Sequence, residues 1–269
     1  MMEGTMVQKA AEQAEYPLFI PFIMAGDPDP ETTIDLALKL EEAGAHILEL
    51  GIPYSDPLAD GPLLQRSASR ALQNEMSLRR AVELIPFMRQ RGLTIPVIAF
   101  TYYNPVLQMG EKYFFDQLKE NGGDGVLIPD LPYEESRDIH NMAAARGLVN
   151  ITLVAPTSGG RIEKLAGEAE GFLYCVSSLG VTGTRDSFPP EAYSFIEKVK
   201  KNSSVPVAAG FGISTPAQVK SLDGVCDGVI VGSAIMKKVE ENLERFKNPE
   251  EKSNALDAVK SFVSSLISS

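Results

Sequence analysis

The sequence predicts an α/β protein: a (β/α)8 TIM barrel, single domain, with extra short helices, over residues 1–269. Three observations predict it. Short apolar runs alternate eight times with longer amphipathic segments, the order of a parallel sheet wrapped by helices. The runs are nearly continuous in apolar residues, as strands covered on both faces must be. The length, 269 residues, matches the roughly 250 that one such barrel needs.

Taken in order, residues 1–15 hold Glu3, Glu12 and Glu15, with Met6 and Val7 the notable apolar side chains; they read as an N-terminal tail or weak helix. Leu18–Met24 (LFIPFIM) is the first strand. Pro30–Glu42 is a helix marked by Ile34, Leu36, Leu38 and Leu40, capped by Asp29 and stopped near Gly44. Residues 46–50 (HILEL) are the second strand, followed by helical stretches over 63–74 and 77–91. Residues 95–101 (IPVIAFT) are a third strand and 111–121 a helix; 125–128 (GVLI) a fourth strand and 134–146 a helix. Strands over 149–154, 171–176, 205–209 and 226–231 follow, with helices over 161–168, 190–202, 216–222 and 249–267, and a short extra helix at 234–239. A doubly wound open sheet is the alternative fold. Its Gly-rich first turn is missing here, since Gly26-Asp27-Pro28 is no dinucleotide fingerprint.

Composition excludes several functions. A net charge of -11 argues against nucleic acid, which needs clustered Lys and Arg. No apolar stretch approaches the roughly 20 residues that span a bilayer, and residues 1–15 lack the pattern of a secretory signal. Cys175 and Cys226 sit in apolar runs and read as buried reduced thiols, which points to the cytoplasm. His46 and His140 are the only histidines, with no zinc-ligand spacing and no expected metal site.

In this fold the chemistry lies at the C-terminal strand ends. Glu49 ends the second strand, where burial disfavours its charge and makes it a candidate proton shuttle near neutral pH. The loop behind it carries Asp56 and Asp60 between Pro53, Pro57 and Pro62. Asp60 reads equally well as a catalytic acid or as the cap of a helix starting near Pro62. Gly210-Phe211-Gly212-Ile213-Ser214 follows the seventh strand and Gly232-Ser233 the eighth. Loops at those two places, with a short helix N-terminus, form the usual phosphate site of such barrels.

These segments together resemble the tryptophan synthase α subunit family from about Leu18 to Val239. Leu48-Glu49-Leu50-Gly51-Ile52-Pro53, running into Ser55-Asp56-Pro57-Leu58-Ala59-Asp60-Gly61-Pro62, is the most specific motif. Gly26-Asp27-Pro28, Tyr103-Asn104-Pro105, Pro129-Asp130-Leu131-Pro132, Gly180-Val181-Thr182-Gly183 and Gly210-Phe211-Gly212-Ile213-Ser214 support it by order and spacing. The resemblance implies retro-aldol cleavage of indole-3-glycerol phosphate to indole and glyceraldehyde 3-phosphate, in tryptophan biosynthesis. It implies Glu49 as the proton shuttle to indole C3 and Asp60 as the partner of the indole N–H. It implies Phe22, Tyr174, Thr182 and Phe211 around the substrate, with Gly183, Gly212, Gly232 and Ser233 on the phosphate. It further implies no metal or organic cofactor on this chain. Pyridoxal phosphate belongs to a β subunit partner in an αββα complex, facing Asp56, Pro57, Asn104 and Asp130. Met24 and Leu63 depart from the family pattern near the active-site loops.

Two other functions compete. A phosphosugar isomerase on the same barrel would want Lys, His or a metal at the strand ends, and none stands there. A non-catalytic barrel that only activates a partner would have no use for Glu49 and Asp60. A free-standing indole-releasing lyase remains a variant of the first reading.

Overall fold

The computed structural model describes residues 4–176, 188–210 and 212–268. Nine parallel strands form one sheet: β1 Leu18–Met24, β2 Leu48–Gly51, β3 Val97–Phe100, β4 Gly125–Leu127, β5 Val149–Asn150, β6 Thr152–Val154, β7 Leu173–Val176, β8 Val207–Gly210 and β9 Gly228–Val231. The spatial order is β5-β4-β3-β2-β1-β9-β8-β7-β6. Its two ends, β5 and β6, are separated in sequence by Ile151 alone, so they are halves of one strand and the ring closes through them. Nine segments thus fill the eight positions of the expected barrel. The Ile151 N–H still donates to the Val126 carbonyl at 2.9 Å; above that bond β6 pairs only with β7.

The strands are buried on both faces, as β1 shows at every position. One apolar cluster, including Ile20, Ile47, Ile98, Phe172 and Ile230, fills the barrel. A larger one lies between the strands and the surrounding helices. Where strands pack closest, only glycine fits: a Cβ at Gly228 would stand 2.3 Å from the Leu18 carbonyl oxygen.

Several helices match their sequence limits, including Pro30–Glu42, Pro190–Asn202 and Pro249–Ile267. Asp29 caps the first of these, accepting from the Thr32 N–H at 2.7 Å, and Gly44 ends the turn at φ 102°. The helix expected over 77–91 is instead two, Leu78–Val82 and Ile85–Gln90. Pro86 has no N–H to continue the first into the second. The stretch expected over 134–146 begins as a 3-10 turn, Tyr133–Glu135, before the helix Arg137–Ala144. Tyr103–Met109 is a helix where the sequence reading assigned no element.

The N-terminal segment is a formed helix, Met6–Gln13. Thr5 and Gln8 make a reciprocal capping box at its start. Val7 and Ala11 face the barrel and join the interior cluster, so the helix closes the floor. Ala10 and Ala14, partly buried, pack against the same cluster.

Candidate active site

Glu49 and Phe22 are register partners on β2 and β1, so both point into the barrel. The strand forces Glu49 inward between Leu48 and Leu50. Its side chain is 0% exposed, and neither carboxylate oxygen has a hydrogen-bond partner among the described residues. With no hydrogen bond among the described residues to offset it, burial pushes its pKa up to about 8. Glu49 is therefore mostly a neutral acid at pH 7, a carboxyl group with a proton to give.

Asp60 comes from the turn that follows. The Asp60 N–H donates to the Pro57 carbonyl at 3.1 Å, and Leu58 N–H to Asp56 at 2.9 Å. Three prolines and these bonds hold the loop in one shape. The helix Pro62–Gln73 has Gly61 at its N-cap and no side-chain cap, which removes the capping alternative for Asp60. Asp60 instead lines the cavity, where the Tyr102 hydroxyl favours its charged form. That hydroxyl also accepts from the Ala59 N–H at 3.0 Å. Burial raises Asp60 to about 6, and the Tyr102 hydroxyl offsets part of that rise. The two carboxyls are thus held on opposite sides of neutrality, Glu49 above and Asp60 below.

Both carboxyls open on one cavity of about 280 Å³, which Phe22, Tyr174, Gly212, Gly232 and Ser233 also line. Phe22 and Phe100 meet edge to face at 5.5 Å, giving an apolar wall. Gly51 makes room for that wall, since a Cβ there would stand 2.2 Å from the Phe22 ring. Gly210 does the same for Tyr174, at 2.6 Å. Beside Phe22, the helix Ser233–Glu241 starts at the cavity with Gly232 as its N-cap. Its first N–H groups have no helical acceptor and present a partial positive charge. Gly212, at φ 72°, sits in the left-handed region that favours glycine.

Seven of the expected residues therefore share the cavity. Thr182, Gly183 and Phe211 lie outside the described residues. Asp56, Asn104 and Asp130 are exposed on the rim and Pro57 is half-buried there. Rim loops are fastened to each other: Asn104 Nδ2 donates to the Tyr54 hydroxyl at 2.9 Å, and Tyr103 N–H to Asp130 at 2.9 Å. Met24 and Leu63, which depart from the family pattern, do not line the pocket. Met24 is buried in the outer core, and Leu63 packs against that core. Leu64 lines the cavity in its place. Sequence reasoning missed Tyr102, although it follows β3 and is adjacent to the motif Tyr103-Asn104-Pro105.

Residues 8–265 match the family described as "Tryptophan synthase alpha chain". This chain belongs to that family. The tryptophan synthase alpha chain of Geobacillus stearothermophilus is 59% identical over 250 residues, 93% of each chain. That of Halalkalibacterium halodurans is 55% identical over 261 residues, 97% of this chain and 98% of the other. Among solved structures, the tryptophan synthase subunit alpha of Legionella pneumophila superposes with a TM-score of 0.86 at 33% identity, covering 98% and 97%. A structure described as the tryptophan synthase a2b2 complex of Pyrococcus furiosus superposes with a TM-score of 0.84 at 36% identity, covering 92% and 96%. The barrel is that of tryptophan synthase alpha chains.

Proposed function

We propose that this chain is the α subunit of tryptophan synthase in tryptophan biosynthesis and splits indole-3-glycerol phosphate into indole and glyceraldehyde 3-phosphate, with Glu49 and Asp60 as its acid and counter-charge. The observation that carries the roles is the opposed pair of carboxyls on one cavity, Glu49 near 8 and Asp60 near 6. The Glu49 carboxyl gives its proton to indole C3. The ring nitrogen then bears positive charge, and its N–H donates to ionised Asp60, which stabilises the cation where it forms. The C–C bond to the glycerol chain breaks, its electron pair restoring the aromatic ring. The adjacent hydroxyl becomes the aldehyde, and its proton returns to the Glu49 carboxylate. The net change is one proton moved from that hydroxyl to carbon.

Phe22, Phe100 and Tyr174 enclose the flat ring, and the amides of Gly212, Gly232 and Ser233 receive the phosphate. Thr182, Gly183 and Phe211 belong to the same reading by sequence. The steps need only proton transfers and charge stabilisation, so no metal or organic cofactor is assigned to this chain. The rim with Asp56, Pro57, Asn104 and Asp130 faces a β subunit in an αββα assembly, and indole passes to the pyridoxal phosphate there. Such a chain works in the cytoplasm; no described helix is long and apolar enough to cross a membrane. The test is indole release from indole-3-glycerol phosphate, measured with and without a tryptophan synthase β chain. Release that rises when the β chain is added is expected. No indole under either condition would discard the assignment.

A further inference from the structure

Outside the cavity lies a charge cluster that this chemistry does not use. Asp27, in the loop after β1, is 0% exposed. Arg70 grips it as a fork, Nε to Oδ1 and Nη2 to Oδ2, both at 2.8 Å. Ser67 Oγ donates a third bond at 2.5 Å. The free edge of the same guanidinium reaches Glu240, Nη1 to Oε1 at 2.8 Å. Arg66 holds Glu240 with a second fork, at 2.9 and 2.8 Å.

The connectivity gives the cluster a task. Arg66, Ser67 and Arg70 all lie on the helix Pro62–Gln73, whose start follows directly on Asp60-Gly61. Glu240 lies in the last turn of Ser233–Glu241, whose first residue lines the cavity. Asp27 belongs to the loop that leaves β1, the strand of Phe22. None of Asp27, Arg66, Arg70 and Glu240 lines the cavity. A planar fork fixes orientation as well as distance. Exposed ion pairs fix little, but here the central carboxylate is fully buried and its donors come from one helix face.

We propose that Arg70 is a positioning residue: by holding Asp27 and Glu240 at once, it sets the helix that delivers Asp60 against the helix that starts at the anion end of the cavity. The distance between the catalytic carboxylate and the phosphate amides is then fixed from behind. The inference rests on the reading of Asp60 and the phosphate site given above.

The test uses the full-length chain with a β chain and compares wild type with Arg70→Met, Arg70→Lys and Glu240→Gln. Misplacing a catalytic group by about 1 Å lowers turnover by up to about a hundredfold. We therefore expect kcat to fall about thirtyfold in Arg70→Met and about threefold in Glu240→Gln. KM, and the Kd of inorganic phosphate by calorimetry, should stay within about twofold, because the amides that bind the anion are local to their own helix. Arg70→Lys should fall between, keeping the charge but not the fork. Arg70→Met leaves Asp27 buried without its partner and risks misfolding; Glu240→Gln, on the surface, then carries the test. A kcat within about twofold of wild type in every folded variant would overturn the proposal, as would phosphate affinity falling by the same factor as kcat. Absence of indole release by the wild type is read in the same assay and would sink the reaction itself, and with it this role.

Discussion

Ionising Glu49 works against the fold, and the same property makes it useful. Its pKa is raised to about 8 by burial, so between the ordinary carboxylate range and pH 8 the folded chain holds a proton that the unfolded chain releases. Stability from this group is therefore present at low pH and lost as pH rises through that window. Each pKa unit corresponds to about 1.4 kcal/mol, so the loss above pH 8 is a few kcal/mol. Glu49→Gln should abolish indole formation while raising the melting temperature at pH 8.5 relative to wild type. An unchanged or lower melting temperature at that pH would contradict the buried-acid argument. The proposed mechanism needs Glu49 protonated and Asp60 ionised, so kcat/KM of the wild type should be bell-shaped, with limbs near 6 and 8. Tyr102→Phe should move the acid limb upward, because its hydroxyl is what offsets the rise in Asp60. An acid limb that stays in place would remove Tyr102 from that role.

At the scale of elements, the helix Met6–Gln13 shows how little sequence signal an element needs when the tertiary structure supplies its partner. Val7 is fully buried, and a Cβ at Gly171 would stand 2.9 Å from Val7 Cγ1. The helix therefore lies directly against the chain leading into β7. Val7→Asp places an unpaired carboxylate among the interior apolar residues. It should destabilise the chain by about 3 kcal/mol or more, read as a melting temperature several degrees lower, with phosphate affinity of the folded fraction retained. A change under about 1 kcal/mol would mean that the floor is closed without this helix. The division of residues 77–91 into two helices had a visible cause, Pro86, which composition alone left unweighed. The helix Tyr103–Met109 had no such warning. Its N-cap, Tyr102, makes no side-chain cap bond, and its start is held instead by Asp130 accepting from the Tyr103 N–H, a residue 27 positions away.

At the scale of the molecule, all the strand ends bearing chemistry meet at one face, and the rim of that face remains open. Leu58 is 91% exposed there, between Pro57 and Asp60 on a loop with a fixed shape. An apolar side chain so placed suits burial by a partner. Leu58→Glu should weaken β-chain association by tenfold or more, about 1.4 kcal/mol, without lowering the melting temperature of the isolated chain. Unchanged association by calorimetry would place the partner elsewhere.

The sequence by itself determined the barrel, because eight apolar runs buried on both faces admit few other arrangements. It also marked the candidate site, because a carboxylate inside such a run and glycine turns after the seventh and eighth strands are local facts. Glu49, Gly212, Gly232 and Ser233 were legible for that reason. What only the tertiary structure decided is who meets whom. Tyr102 acts on Asp60 from 42 residues away, and Arg70 joins Asp27 to Glu240 across three elements. Whether Asp60 caps a helix or faces the cavity, and whether Met24 or Leu64 touches it, followed from the same source. Periodicity records which face of an element is apolar; pairings between distant polar groups depend on how those faces pack in space, and no local pattern encodes that.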